Sequence, residues 1–279
     1  MARNLRKFET LSDYQSAELI RPAVSLIGAD NSVHFDQVIP PAHDYSQDYL
    51  TFVALEDSTF SFMKSTIIDP ETGEPIETPD IQYSLDNGST WTTLSGDGET
   101  QTPTVKTGNK ILWKGELVSE TQGMGVGTFG AVGSFNAEGN IMSIVSGDSF
   151  TAATAMTVDY QLANLFRNNY GIISAENLVL PATLSLGCYR AMFNGAGMLT
   201  TSPVLSAATL EDWCYDGIFE DCESLTAITC LATDISAMGC TSSWVSGVYS
   251  TGTFVKASSM NDWTSGSDGI PTNWTVENA

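Results

Sequence analysis

The sequence predicts a mainly β protein with short helices: an N-terminal arm, a small β-sandwich domain and a short C-terminal repeat solenoid closed by a cap. Three observations predict it. Runs such as YLTFVALE, TFSFMKSTII and IQYSL alternate apolar and polar residues, the pattern of strands buried on one face. The polar complement is Ser, Thr, Asn and Gly rather than Lys and Glu, which favours strands and turns over exposed helices. The C-terminal part also repeats itself: TLSLGCYRAMFNGAGMLTTSPVL and TLEDWCYDGIFEDCESLTAITCL superpose after a shift of 26 residues.

Residues 1–45 read as an arm. Arg6–Leu19 suits a short helix capped at Ser12-Asp13, PAVSLI from Pro22 and VHFD from Val33 are extended, and Pro40-Pro41 ends the segment. The arm holds Arg3, Arg6, Lys7 and Arg21 but few apolar residues. Segments of that composition order on a partner, and Leu5, Phe8, Tyr14 and Leu19 are the expected docking anchors. Residues 46–120 read as the β-sandwich, with the acidic stretch Asp69–Asp80 as an exposed hairpin loop. Asn87-Gly88 signals a type I′ hairpin, since both residues tolerate positive φ, and Trp91 and Trp113 are assigned to the core. Residues 121–150 are too glycine-dense for a regular helix and read as a β connection that can also cap one end of the repeat, with GSFNAEG and NIMSIV as closely approaching strands.

Residues 151–245 carry the repeat. The 26-residue shift places Leu184 on Leu210, Cys188 on Cys214, Tyr189 on Tyr215, Phe193 on Phe219 and Leu199 on Leu225. The earlier stretch LANLFRNNYGIISAENLVLPAT fits the same frame with one extra residue. That period falls in the range of leucine-rich repeats, each a strand plus a helix or 3₁₀ turn. Leu184, Cys188 and Met192 would share a helical face, as would Leu210, Cys214 and Ile218, with LVLPAT, PVLSAAT and TCLATDI as stacked strands. Roughly three units need capped ends, and residues 246–279 supply one cap, with Trp244, Trp263 and Trp274 packed beneath it.

Charge narrows the function. With 11 Lys+Arg against 33 Asp+Glu the formal charge is −22, a field that repels nucleic acid, so no nucleic-acid partner is expected. No run approaches the apolar length of a membrane span, so no membrane insertion is expected. MARNLRKFET has charges without an apolar stretch behind them, which points to synthesis in a cytoplasm and exit by a route other than signal-directed secretion. Five cysteines, Cys188, Cys214, Cys222, Cys230 and Cys240, make no CxxC pair and read as small buried thiols.

The chemistry-bearing residues are few. His34 and His43 are the only histidines, and His43-Asp44 sits in a proline-rich turn unsuited to a triad. Asp216, Glu220, Asp221 and Glu223 form an acidic cluster that has the oxygen ligands calcium requires, yet reads first as a solvated face. No catalytic residue, metal site or cofactor is assigned. Trp213 stands where the preceding repeat has Gly187, so it varies while the frame holds, and it is the candidate exposed contact residue.

CYRAMFNGAGMLTTSPVL and CYDGIFEDCESLTAI resemble the BspA-type leucine-rich repeats of surface proteins from Bacteroides-group bacteria and their phages. TGTFVKASSMNDWTSGSDGIPTNWTV is similar to the C-terminal module of such proteins, and IQYSLDNGSTWTTL and GSFNAEGNIMSIVSGDSF to their upstream β-modules. NLRKFETLSDYQSAELIRPAVSLIGADNSVHFD resembles the N-terminal segment of virion proteins of gut Bacteroides phages, including crAss-like phages. The resemblance implies a non-enzymatic structural or adhesion protein of the virion. Its arm would bind other virion proteins of capsid or tail, and its repeat domain a host surface protein or glycan. A homo-oligomer is left open. The alternatives are a bacterial surface adhesin and, from a different class, a glycan-active hydrolase.

Overall fold

The computed structural model describes residues 22–25, 34–37, 43–68, 71–76, 78–117 and 125–279. Contacts divide the chain into two units, Met1–Asp44 and Tyr45–Ala279. In the first, strands β1 (Pro22–Ser25) and β2 (His34–Gln37) pair antiparallel, with Pro22 opposite Gln37. The helix expected over Arg6–Leu19 and the anchors Leu5, Phe8, Tyr14 and Leu19 lie outside the described residues.

The second unit is mainly β and is organised by one ten-stranded sheet. Its antiparallel end comprises β3 (Leu50–Ala54), β7 (Ile81–Ser84), β8 (Thr92–Leu94), β9 (Lys110–Lys114) and β11 (Phe135–Asn140). Its parallel end comprises β12 (Ile172–Val179), β13 (Thr201–Leu205), β14 (Ala227–Cys230), β15 (Thr253–Lys256) and β16 (Thr275–Asn278). The order is β8-β7-β9-β3-β11-β12-β13-β14-β15-β16, and β11 is the hinge of direction, antiparallel to β3 and parallel to β12. A second layer, β4 (Thr59–Lys64) paired with β10 (Gly127–Val132), lies over the antiparallel end. Between the layers Phe52 packs against Phe135 at 4.4 Å, Phe129 at 4.9 Å, Phe60 at 5.3 Å and Trp113 at 5.4 Å between ring centroids. Burial of such rings dominates a core of this size.

The sandwich is therefore completed by the glycine-rich stretch, which supplies β10 and β11. The glycines are there for close approach: a Cβ on Gly139 would stand 2.1 Å from the Tyr49 carbonyl oxygen, and one on Gly127 2.4 Å from that of Met63. NIMSIV, expected as a strand, instead holds helix α1 (Ser143–Ser146), followed by a 3₁₀ segment, Gly147–Ala152. Around the Asp69–Asp80 stretch two short strands, β5 (Ile67–Ile68) just before it and the exposed β6 (Pro75–Ile76) within it, pair antiparallel. The two-residue hairpin expected at Asn87-Gly88 is replaced by a longer connection over residues 85–91. Both residues do take positive φ, 57° and 83°. The Asp86 carboxylate widens the loop by accepting the Thr90 amide at 2.8 Å, the Thr90 hydroxyl at 2.7 Å and the Ser84 hydroxyl at 2.7 Å.

The C-terminal region is a β-solenoid of about four turns. The strands lie earlier in each unit than expected, at IISAENLV, TSPVL and AITC, and residues 246–279 add two more, β15 and β16. The wall opposite the sheet is not helical. Positive φ recurs every fourth residue: at Tyr160, Asn164 and Asn168, then Gly187, Ala191 and Gly195, then Trp213, Gly217 and Asp221, then Gly239, Ser243 and Gly247. A right-handed helix has no such positions, so the short helices expected on this wall are replaced by overlapping turns.

Backbone amides in this wall alternate between two partners. Arg190, Met192 and Asn194 donate back three residues within their own coil, to Gly187, Tyr189 and Ala191. Tyr189, Ala191 and Phe193 donate across to Cys214, Asp216 and Ile218 of the next coil. The backbone is thus satisfied by neighbours as in a sheet. Inward-facing side chains come in adjacent pairs, Cys188-Tyr189 and Met192-Phe193, answered by Cys214-Tyr215 and Ile218-Phe219, all at most 1% exposed. Rings align in register along the stack: Phe129–Phe166 at 5.7 Å, Phe166–Phe193 at 5.3 Å and Phe193–Phe219 at 5.7 Å. The first ring belongs to β10, whose Phe129 amide also donates to Leu165 O, so the second layer of the sandwich runs on into the turn wall. At the far end Trp244 stacks on Trp263 at 5.2 Å and donates its indole N–H to Gly269 O, closing the core. Among the described residues no helix is long and apolar enough to cross a membrane.

Candidate functional site

Trp213 lies on the turn wall and is half-buried. Its φ is 57°, and its ring covers the position of Gly239 in the next coil, where a Cβ would come within 2.4 Å of it. Tyr160 covers Gly187 in the same way one pair of coils earlier. The Trp-for-Gly variation seen in the sequence is thus an alternation down the stack, large residue over glycine, and part of the Trp213 surface is spent on packing. Of the acidic cluster, Asp216 accepts the Arg190 Nε–H at 2.7 Å and Glu220 accepts the Asn194 side-chain amide at 2.8 Å, each from the preceding coil. Asp221 and Glu223 are exposed. Among the described residues no group of three or more His, Cys, Asp or Glu side chains is arranged to hold a metal ion. The five cysteines are free and buried, and burial pushes the Cys188 and Cys230 thiols up to about 12, so these sulfurs stay protonated and unreactive. His43 is exposed at the edge of the first unit, and His34 lies on β2.

The antiparallel end of the sheet carries a second set of residues that the sequence did not single out. Strand register aligns Thr93 of β8, Gln82 of β7 and Lys114 of β9 in one row: Gln82 is opposite Thr93 on one side and Lys114 on the other. The neighbours Ile81, Tyr83, Leu94 and Trp113 are buried, so strand alternation turns this row outward. The chain closes around the row from two sides. Asp80, just before β7, forms one wall and is paired with Lys64 at 2.8 Å. Glu116, after β9, and Asp148, in the 3₁₀ segment, form the other. Together they enclose an open cleft of about 420 Å³.

Its geometry is held by a polar and aromatic cluster. Lys114 Nζ donates to both Asp148 oxygens, at 2.9 and 3.1 Å, and the Tyr49 hydroxyl donates to Asp148 Oδ1 at 2.7 Å. The Tyr49 hydrogen bond, then Lys114, holds the Asp148 carboxyl below its usual range, while burial followed by that same bond pushes the Tyr49 hydroxyl up to about 12. Near neutral pH Asp148 is therefore an anion with fixed acceptors and Tyr49 a fixed donor. Trp91 stands beside them: its ring centroid is 5.0 Å from that of Tyr49, and Lys114 Nζ lies over it at 4.4 Å. Trp91, expected in the core, is thus half-buried on the outer face, the side that Thr93, two residues on, also presents while Leu94 points inward. Trp113 does fill the core, fully buried.

Chemically the cleft offers carboxylate acceptors, one ammonium, an amide and a hydroxyl on a rigid floor, with aromatic rings at the rim. That set can orient a ligand. The sequence signal for it was the alternation in IQYSL and KILWK, which fixes the faces; the register that brings Gln82, Thr93 and Lys114 side by side comes from the fold. No family model, curated protein or solved structure matches this chain.

Proposed function

We propose that this chain is a non-enzymatic virion structural and adhesion protein, its N-terminal arm attaching to the particle and its repeat solenoid displayed for a host surface or a neighbouring virion protein. The observation that carries the reading is the division of the chain at Asp44/Tyr45 into an arm unit and a separate body. The body is held by one uninterrupted sheet and one core, properties that suit a rigid display element. The repeats are read as leucine-rich repeats of the BspA type, on the strength of Leu184, Leu210, Leu199 and Leu225 recurring at the 26-residue period. The acidic surface keeps many displayed copies apart.

The test is deletion of residues 1–44. The remaining chain is expected to be soluble and to melt cooperatively, and to be lost from purified particles. If it still incorporates, the attachment surface lies in the body and the reading fails. Loss of folding would instead make the arm part of the core of the body.

A further inference from the structure

The outer-face cleft at the antiparallel end of the sheet is built, yet no part of the fold needs it open. The side chains of Gln82 and Glu116 face it without a role in packing the core, which is carried by Ile81, Tyr83, Ile111 and Trp113 on the opposite face. Its lining excludes most ligand classes by chemistry. An apolar molecule finds mainly polar groups, with Pro79 and glycine backbone between them. An anion meets Asp80, Glu116 and Asp148 against one lysine already bound to Asp148. What remains well matched is a molecule with many hydroxyls, each able to donate to a carboxylate and accept from an ammonium or amide.

The spatial arrangement fits that class further. Thr93, Gln82 and Lys114 sit on three neighbouring strands, whose spacing is about 4.8 Å, so successive hydroxyls of a ring or chain can be met in turn. Trp91 and Tyr49 stand beside this row, tied to it through Lys114 and Asp148, and the partly positive C–H face of a sugar ring packs on the negative face of an aromatic ring. The volume, about 420 Å³, falls in the range of small-ligand sites.

We propose that this cleft is a carbohydrate-binding site for an uncharged glycan, with Gln82, Glu116 and Asp148 as the hydrogen-bonding residues and the Trp91–Tyr49 pair as its apolar rim. The site is distinct from the solenoid surface, and it shares with the reading above only the premise that the protein binds at a surface. Attachment through the arm can fail without touching it.

The full chain is applied to a glycan microarray carrying neutral, acidic and amino-sugar glycans, and the best binder is titrated by calorimetry. Binding to at least one neutral glycan is expected. It should weaken by about tenfold or more in Gln82→Ala and in Glu116→Ala, each removing hydrogen bonds to the ligand. Both variants should keep the parental melting temperature, since neither side chain packs the core. Val204→Ala, exposed on β13 of the solenoid and in no proposed contact, should leave the affinity unchanged. No binding to any neutral glycan overturns the proposal, as does binding unaffected by both cleft variants. Binding confined to amino-sugar glycans and abolished by salt would make the cleft a cation site and equally overturn it. Loss of glycan binding in Trp213→Ala alone would move recognition to the solenoid.

Discussion

Trp213 and Gly239 show how a single residue is constrained by the coil beneath it. Both backbones are left-handed, at φ 57° and 61°, a conformation that costs a non-glycine residue about 1–2 kcal/mol. The indole lies where a Gly239 side chain would be. Gly239→Ala should therefore destabilise by about 2–5 kcal/mol, the sum of about 1–2 of backbone strain and about 1–3 of overpacking. In a Trp213→Ala background the overpacking vanishes, and the same substitution should cost only the backbone part, about 1–2 kcal/mol. A double-mutant cycle on chemical denaturation reads the difference; additive costs would contradict the packing. Asp86 offers a second residue-scale test. Its hydrogen bonds from the Thr90 amide and hydroxyl, and then from Ser84, lower its pKa from 3.8 to about 2. A folded-state pKa below the unfolded one stabilises the loop fully above pH 3.8, and that support is lost as pH falls through 2. A carbon-detected NMR titration of Asp86 should find its midpoint near 2, and a midpoint at 3.8 would mean the loop bonds are not made.

One coil of the solenoid has no core of its own. Its strand and its turn wall enclose residues such as Cys188, Tyr189, Met192 and Phe193, whose upper and lower surfaces are covered only by the neighbouring coils. Removing a buried side chain therefore leaves a cavity between coils that the stacked backbone, tied across at every second amide, cannot collapse. Leu199→Ala or Phe219→Ala should cost about 2–5 kcal/mol. Differential scanning calorimetry is the check, and a parental melting temperature in either variant would refute the stacking. The element-scale pattern also explains why a helix was expected. Period four and period 3.6 place Leu184, Cys188 and Met192 on one side equally well over so short a stretch. The two differ at the residue after each inward one: a helix would turn Tyr189 and Phe193 away, whereas the turn wall buries both.

At the scale of the molecule, β11 matters most. It converts an antiparallel sandwich sheet into a parallel solenoid sheet, and β10 does the same for the opposite wall through its bond to Leu165. The segments bounded in the sequence at 46–120, 121–150 and 151–245 share one sheet and one continuous core. Such an object should unfold as one body. For the chain lacking residues 1–44, hydrogen exchange in β7 and in β14 should report the same opening free energy, and separate values would divide sandwich from solenoid.

The sequence by itself determined the strands of the sandwich, the repeat and its 26-residue frame, the buried identity of Leu184, Leu199, Leu210 and Leu225, and the five unpaired cysteines. These are legible because burial periodicity and repetition are written locally along the chain. The tertiary structure decided the rest. Turn wall or helix was settled by left-handed positions at residues such as Ala191 and Ser243, which carry no local sequence signature. The outward placement of Trp91 follows from the face that β8 takes in the sheet, Leu94 inward and Thr93 outward, while three hydrogen bonds to Asp86 shape the loop before it. The cleft joins Tyr49, Gln82, Lys114 and Asp148, residues up to 99 positions apart, through strand register and a 3₁₀ segment, and register between distant strands is fixed only when the whole sheet assembles.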